Sequence, residues 1–300
     1  MQSQIHSIVH SPAKSTINYG QLSVFLLFHG LTLYLLTRVP WTGMALAQGL
    51  LLAFVMHHIR FFGISVVLHR YFSHKAFRTS RFFQFVLALI GSLTLIRGPI
   101  RFAVAHRHHH RHSDTPEDLH SPHDGFLWSY VGWLMSSRFV EVSSTGGKDL
   151  RRFPELRILD RVYWLPSVLL WIGLYQWGGL PALVWGGFVS TITAWHLAFF
   201  VTSVFHKIGR QDFDTGDDSR NHLGLALITL GEGWHNNHHQ SMNSAIFSAR
   251  PGQPDFGFWS IWCMQKLGLI HDLNIEGLPC LPRTVGPALG APCHIRASKP

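Results

Sequence analysis

The hydrophobic positions of this chain fall into long blocks rather than alternations. Gln21 to Thr37 is apolar and about long enough to cross a bilayer. Arg38-Val-Pro-Trp41 follows as a short turn that ends on an interfacial Trp. Gly43 to Leu68 is a second long apolar run, interrupted by His57, His58 and Arg60. Val162 to Trp177 and Leu180 to Phe205 form another pair, joined by the tight Gly178-Gly179. This pattern predicts an all-α membrane protein with four transmembrane helices, near residues 21–37, 43–68, 162–177 and 180–205, arranged as two hairpins. Phe82 to Ile96 is apolar but short, and reads as a re-entrant or interfacial helix. Shorter helical patterns at 102–112, 126–135, 223–230 and 259–270 lie in two polar stretches, 69–161 and 206–277, which are predicted to form a helical cap. Residues 1–20 read as a loose polar arm, and residues 278–300, rich in Pro and Gly, as a disordered tail.

Both polar stretches begin on a histidine, His69 and His206. Three boxes stand out: His69-Arg-Tyr-Phe-Ser-His74, His106-Arg-His-His-His110 and His235-Asn-Asn-His-His239. In HxxHH the first residue shares one helical face with the fourth and fifth, so one turn aims two or three imidazoles at one centre. HxxxxH does not fit an ideal α-helical register, but a helix end or bend can correct that. Eight imidazoles are too many for one ion and suit two. His206 emerges from the second hairpin as His69 emerges from the first, which makes it a candidate ninth ligand. His57, His58 and His196 belong to no box and read as core or interfacial residues. Asp114 and Asp118 are either acceptors that orient ligand imidazoles or solvated loop acids.

Composition narrows the class. Of 300 residues, 47% are hydrophobic and only 14% charged, well short of a soluble domain's charge content. The net charge of +9 would suggest nucleic acid on a soluble protein. On a membrane protein it points to anionic lipid or an anionic substrate, and no nucleic-acid partner is expected. Most Lys and Arg between the hairpins lie in 69–161, with more after His206, while the two short turns hold only Arg38. The positive-inside rule therefore puts the boxes and both termini in the cytoplasm. Cys263, Cys280 and Cys293 are too few for an iron–sulfur cluster, which takes four thiolates. No GxGxxG and no fused haem domain is present, so any electrons must come from outside. A metal-ion transporter would line a membrane path with its histidines, whereas these sit at helix ends and in loops.

The words GISVVLHRYFSHKAF, HRHHHRHSD, HSPHDGF, VGWL, GEGWHNNHH and CMQKLGL carry a resemblance. Over about Gly63 to Asn274 the chain resembles the membrane-bound fatty acyl desaturases, in particular the stearoyl-CoA (Δ9) branch. That resemblance implies a four-helix membrane fold with a cytoplasmic di-iron cap. It assigns the metal ligands to His69, His74, His106, His109, His110, His206, His235, His238 and His239, and leaves His108 and His112 outside the set. It implies two iron ions, O2 as co-substrate, and insertion of a cis double bond, Δ9, into a saturated acyl chain. The acyl chain would be carried as acyl-CoA, on acyl-carrier protein or in a lipid. An external ferredoxin or cytochrome b5-like donor with its reductase is expected on the basic face. A hydroxylase or monooxygenase on the same His-rich centre is the alternative.

Two positions depart from the family pattern. Thr202 stands where the family often has an Asn that holds a metal-bound water. After VGWL the run Met135-Ser-Ser-Arg138 keeps one basic residue where the acyl-CoA branch has a pair. Arg107 matches the family's other head-group contact, and Arg151 and Arg152 are compensating candidates. The balance shifts from CoA toward acyl-carrier protein or an intact lipid. An apolar tunnel lined by the aromatic-rich hairpins would hold the chain, with Trp128, Trp133 and Trp234 as candidates near its mouth.

Overall fold

The computed structural model describes residues 15–275, so the start of the arm and the tail at 278–300 lie outside the described residues. The described chain is mostly helical. Asn18 accepts from the Gln21 amide and opens α1 (Tyr19–Leu36). After the Pro40 turn comes α2 (Gly43–Phe62), which continues without interruption as a π-helix over Gly63–Ser73. A two-residue strand, β1 (Arg78–Thr79), precedes α3 (Arg81–Ser92), which Ser80 caps, and α4 (Pro99–His112), which has Pro at its first position. The cap goes on through α5 (Phe126–Tyr130), α6 (Ser137–Ser144), α7 (Lys148–Arg151) and α8 (Pro154–Arg161). Then α9 (Leu165–Ala182) passes through a π-helical turn, Leu183–Val189, into α10 (Ser190–Ser203). Last come α11 (Leu223–Ile228), α12 (His235–Gln240), α13 (Phe256–Lys266) and β2 (Ile270–His271).

Three helical stretches are long and apolar enough to cross a membrane: Tyr19–Leu36, Gly43–Ser73 and Leu165–His206. The third is broken at Gly178 (φ −137°, ψ 20°) and Gly179 (φ +62°, ψ −156°). The left-handed φ suits glycine, which has no Cβ to clash. The chain doubles back there: a Cβ on Gly187 would come 2.9 Å from the Trp171 ring, and one on Gly186 would come 3.3 Å from Leu174. The outward faces of these helices are apolar, with Leu27 70%, Leu33 68%, Leu169 59% and Trp177 76% exposed, as suits hydrocarbon and not water.

Two differences from the sequence reading concern the edges of elements. Residues 15–18 are not loose, because Ser137 N donates to Thr16 O and Asn18 N to Met135 O. The second apolar helix does not stop at Leu68 but winds on through the first box. The ladder β1–β2, pairing Arg78 with His271 antiparallel, was not legible because two residues carry no periodicity. One buried cluster packs Val67, Leu68, Leu87, Ala103, Ile261 and their neighbours around the π-helix. A second, holding Phe61, Ile64, Trp133, Trp195 and Phe199, lies between the hairpins and the cap.

Candidate metal centre

The first box sits on the π-helix. On an α-helix, residues five apart are about 140° out of register. Winding to i→i+5 hydrogen bonds narrows that gap, and His74 N donates to His69 O at 3.2 Å. The second box lies at the end of α4 and the third occupies α12. Gly231 and Gly233 deliver α12. Gly231 has φ +98°, and a Cβ on Gly233 would collide with the backbone of Ala226.

Nine imidazoles converge in two groups, His69, His74, His106, His110 and His238 in one, and His109, His206, His235 and His239 in the other. Each HxxHH box is therefore divided rather than aimed at a single centre. His106 and His110 share a group while His109 turns to the other, and α12 does the reverse with His235, His239 and His238.

The donor atoms fit a cation. In the first group Nε2 atoms face one another at 2.9 Å (His69–His238 and His238–His110), 3.0 Å (His110–His106) and 2.8 Å (His106–His74). Ligand bonds of about 2.1 Å at right angles would put neighbouring donors about 3.0 Å apart. Burial holds His74, His106, His110, His235 and His238 well below the usual imidazole range, so they are neutral and carry free lone pairs. A proton relieves one such facing pair, whereas one cation relieves them all. In the second group His206 Nε2 lies 3.0 Å from His235 Nε2, and the buried Nε2 atoms of His109 and His239 have no hydrogen-bond partner.

Four carboxylates hold the other ring nitrogens. Asp118 accepts from His109 Nδ1 at 2.9 Å, Asp114 from His206 Nδ1 at 3.0 Å, Asp217 from His239 Nδ1 at 2.6 Å, and Glu232 from His69 Nδ1 at 2.7 Å. Each fixes the tautomer that leaves Nε2 free and raises the basicity of the ring. Burial alone would raise these four carboxyls, but their histidine partners hold them below the usual range. Burial alone would lower His109, and Asp118 raises it. Burial lowers His239 to about 4 against the pull of Asp217.

Asp114 and Asp118 were named from the sequence, while Asp217 and Glu232 were not. Glu232 stands inside GEGWHNNHH, and its place beside the third box was a usable signal. Asp217 lies in the polar run DTGDDS, where nothing distinguishes it. His120 was also missed as a site residue. It is buried beside His109 and Asp118, with its ring 4.1 Å from that of His109.

The other named residues are placed as follows. The Thr202 hydroxyl donates to Ser129 O at 2.7 Å. Arg107 donates to Ser73 O, Phe72 O and Asp149, and Arg138 to Pro116 O. Arg151 donates to Gly146 O, and Arg152 lies over the Phe153 ring. His108 bonds Glu117 O outside both groups, and its ring lies 4.6 Å from that of His112. His57, His58 and His196 are in neither group. Trp133 lines the cavity described next, whereas Trp128 and Trp234 donate to Leu119 O and Pro254 O elsewhere.

A cavity opens onto both groups, through His69 and His106 on one side and His109 and His235 on the other. Its remaining wall is largely apolar, including Ile64, Phe102, Trp133, Phe139 and Phe199. The profile of the fatty acid desaturase family matches residues 40–247. The chain belongs to that family. This desaturase is 36% identical over 252 residues to a sn-2 palmitoyl-lipid 9-desaturase of Nostoc sp., covering 82% of this chain and 86% of that one. It is 31% identical over 269 residues to a sn-1 stearoyl-lipid 9-desaturase of Anabaena variabilis, covering 89% and 97%. It is 33% identical over 268 residues to a chloroplastic palmitoyl-monogalactosyldiacylglycerol delta-7 desaturase of Arabidopsis thaliana, covering 86% and 69%. The chain is thus an oxidoreductase acting on fatty acyl groups.

Proposed function

We propose that the desaturase holds two irons, one in each imidazole group, and inserts a cis double bond at position 9 of a saturated acyl chain. The observation that carries this reading is a largely apolar cavity that reaches both groups. The reaction takes two hydrogens from adjacent carbons, together with O2, two electrons and two protons, and yields the alkene and two waters. No side chain oxidises an unactivated alkyl chain, so the irons supply that chemistry when bound. The protein's own work is binding and exclusion. Ile64, Phe102 and Phe139 surround the chain, Trp133 and Phe199 restrict its path, and the dry wall keeps water from the reacting carbons. Glu232, Asp118, Asp114 and Asp217 keep four ligand rings oriented. The apolar outer faces support four membrane crossings in two hairpins, and the Lys/Arg bias of the loops supports a cytoplasmic cap. Two electrons per turnover come from an external ferredoxin or cytochrome b5-like protein.

Expression in a desaturase-null host, followed by gas chromatography–mass spectrometry of derivatised fatty acids, tests the reading. A new cis-9 monoene supports it. A hydroxy acid, or no product from verified, iron-loaded protein with a matched donor, overturns it.

A further inference from the structure

The third box holds two residues between its ligands, Asn236 and Asn237, that the imidazole chemistry does not use. Asn236 is fully buried. Its side chain grips one loop, residues 212–219, whose Asp214 and Gly216 are exposed. Asn236 Oδ1 accepts from the amides of Asp212 at 2.8 Å and Phe213 at 2.7 Å. Its Nδ2 donates to Phe213 O at 3.0 Å, Ser219 Oγ at 3.2 Å and Thr215 Oγ1 at 3.3 Å. Backbone amides can only donate, so the two at Oδ1 fix which way the carboxamide faces.

The two hydroxyls that meet Nδ2 pass the constraint on. Thr215 Oγ1 and Ser219 Oγ donate to Asp217 Oδ1 at 2.7 and 2.5 Å, and the Ser219 amide joins them at 3.0 Å. These donors hold Oδ1, which leaves Oδ2 to accept from His239 Nδ1 at 2.6 Å. The next residue serves another ligand. Asp218 N donates to Asp114 Oδ2 at 2.7 Å, the same oxygen that accepts from His206 Nδ1. His239 and His206 both belong to the second imidazole group. The first group is supported differently: Glu232, which holds His69, accepts from Ser65 Oγ on the π-helix at 2.6 Å. Loss of a carboxylate that orients a ligand ring costs about 10–100-fold in metal affinity, so a loop that sets two of them bears on one site and not the other.

We propose that Asn236 is a positioning residue for the second metal alone, fixing the loop that aims Asp217 at His239 and Asp114 at His206. The inference rests on the reading of one iron in each imidazole group. It adds that the two sites have separate supports, helix sides for the first and a loop pinned by the third box itself for the second.

The test titrates the metal-stripped, full-length protein in detergent with Fe2+ alone, without O2, and measures the affinity of each iron. Asn236→Ala should weaken one iron about tenfold or more and leave the other unchanged, so the retained iron reports that the chain is folded. Thr215→Val removes a single hydroxyl from Asp217 at a half-buried position and should weaken the same iron by a smaller factor, whereas Thr215→Ser, which keeps the hydroxyl, should restore it. Two backgrounds identify that iron. Thr215→Val should weaken the iron that remains in His110→Ala, where the first group is disabled, and should have no effect on the one that remains in His239→Ala. If Asn236→Ala abolishes folding and both irons are lost, the Thr215 variants decide. Two irons in the parent, with selective weakening of the second in neither Asn236→Ala nor Thr215→Val, overturns the proposal. Fewer than two irons in the parent sinks the two-iron reading itself.

Discussion

At the scale of the residue, the centre depends on which nitrogen of each ring is free. His69, His109, His206 and His239 have that choice made by a carboxylate on Nδ1. Replacing Glu232 by Gln or Asp217 by Asn should lower metal affinity about 10–100-fold while the chain still folds. Titration of the stripped protein with Fe2+ measures this, and unchanged affinity would mean that these acids are only structural. His206→Ala should lose metal, whereas His108→Ala, whose ring bonds Glu117 O, should keep it; equal losses would break the ligand assignment. Acid should act on the metal-free protein in a definite direction. His74, His106, His110, His235 and His238 have folded pKa values depressed below the ordinary 6.5, so the unfolded chain binds more protons as pH falls below that value. Their contribution is neutral above pH 6.5 and turns destabilising below it. Metal-stripped protein should therefore melt progressively lower between pH 7 and pH 5, and a flat melting temperature there would contradict the burial argument. The boxes were legible because imidazoles at fixed spacing are rare by chance. Glu232 and Asp217 were not, because an acid in a polar loop gives no sign of its partner until the loop is folded.

At the scale of the element, the π-helix Gly63–Ser73 determines whether His69 and His74 point the same way. Deleting one residue within Arg70–Ser73 brings the pair to a four-residue spacing but breaks the π winding that turns His74 toward His106, His110 and His238. Loss of one metal with the other retained is the expected result, read by metal analysis. Arg70, fully buried on the same segment, donates to Asp255 at 2.9 and 3.2 Å and to Ala245 O, and lies 3.8 Å from the centre of the Phe247 ring. Asp255 in turn accepts from the Phe247 and Phe258 amides, so this pair ties the first box to the segment after the third. Arg70→Leu leaves Asp255 buried without its cation and should destabilise the fold by about 3–5 kcal/mol, measured by thermal shift of the detergent-solubilised protein. The apolar blocks announced α1, α2 and the α9–α10 stretch from sequence because a long apolar run is a long-range signal. The π winding left no trace in that pattern beyond the five-residue histidine spacing.

At the scale of the molecule, helix ends deliver ligands and helix sides enclose the chain. The π-helix after α2, the end of α4, the turn after α10 and α12 bring nine imidazoles into two adjoining groups above one apolar cavity. Sequence spacing indicated two ions but not how the boxes share them, because the division of each HxxHH turn depends on how α4 and α12 face one another. The grip of Asn236 on the loop 212–219 was equally hidden: the box and the loop meet only in the folded chain. The most direct test of the whole account is metal stoichiometry in the purified, iron-reconstituted protein and two single variants. Two irons per chain are predicted in the parent, with one lost in His110→Ala and one in His239→Ala. A single iron per chain, or variants that both empty the same site, would contradict a two-ion centre divided between these two groups.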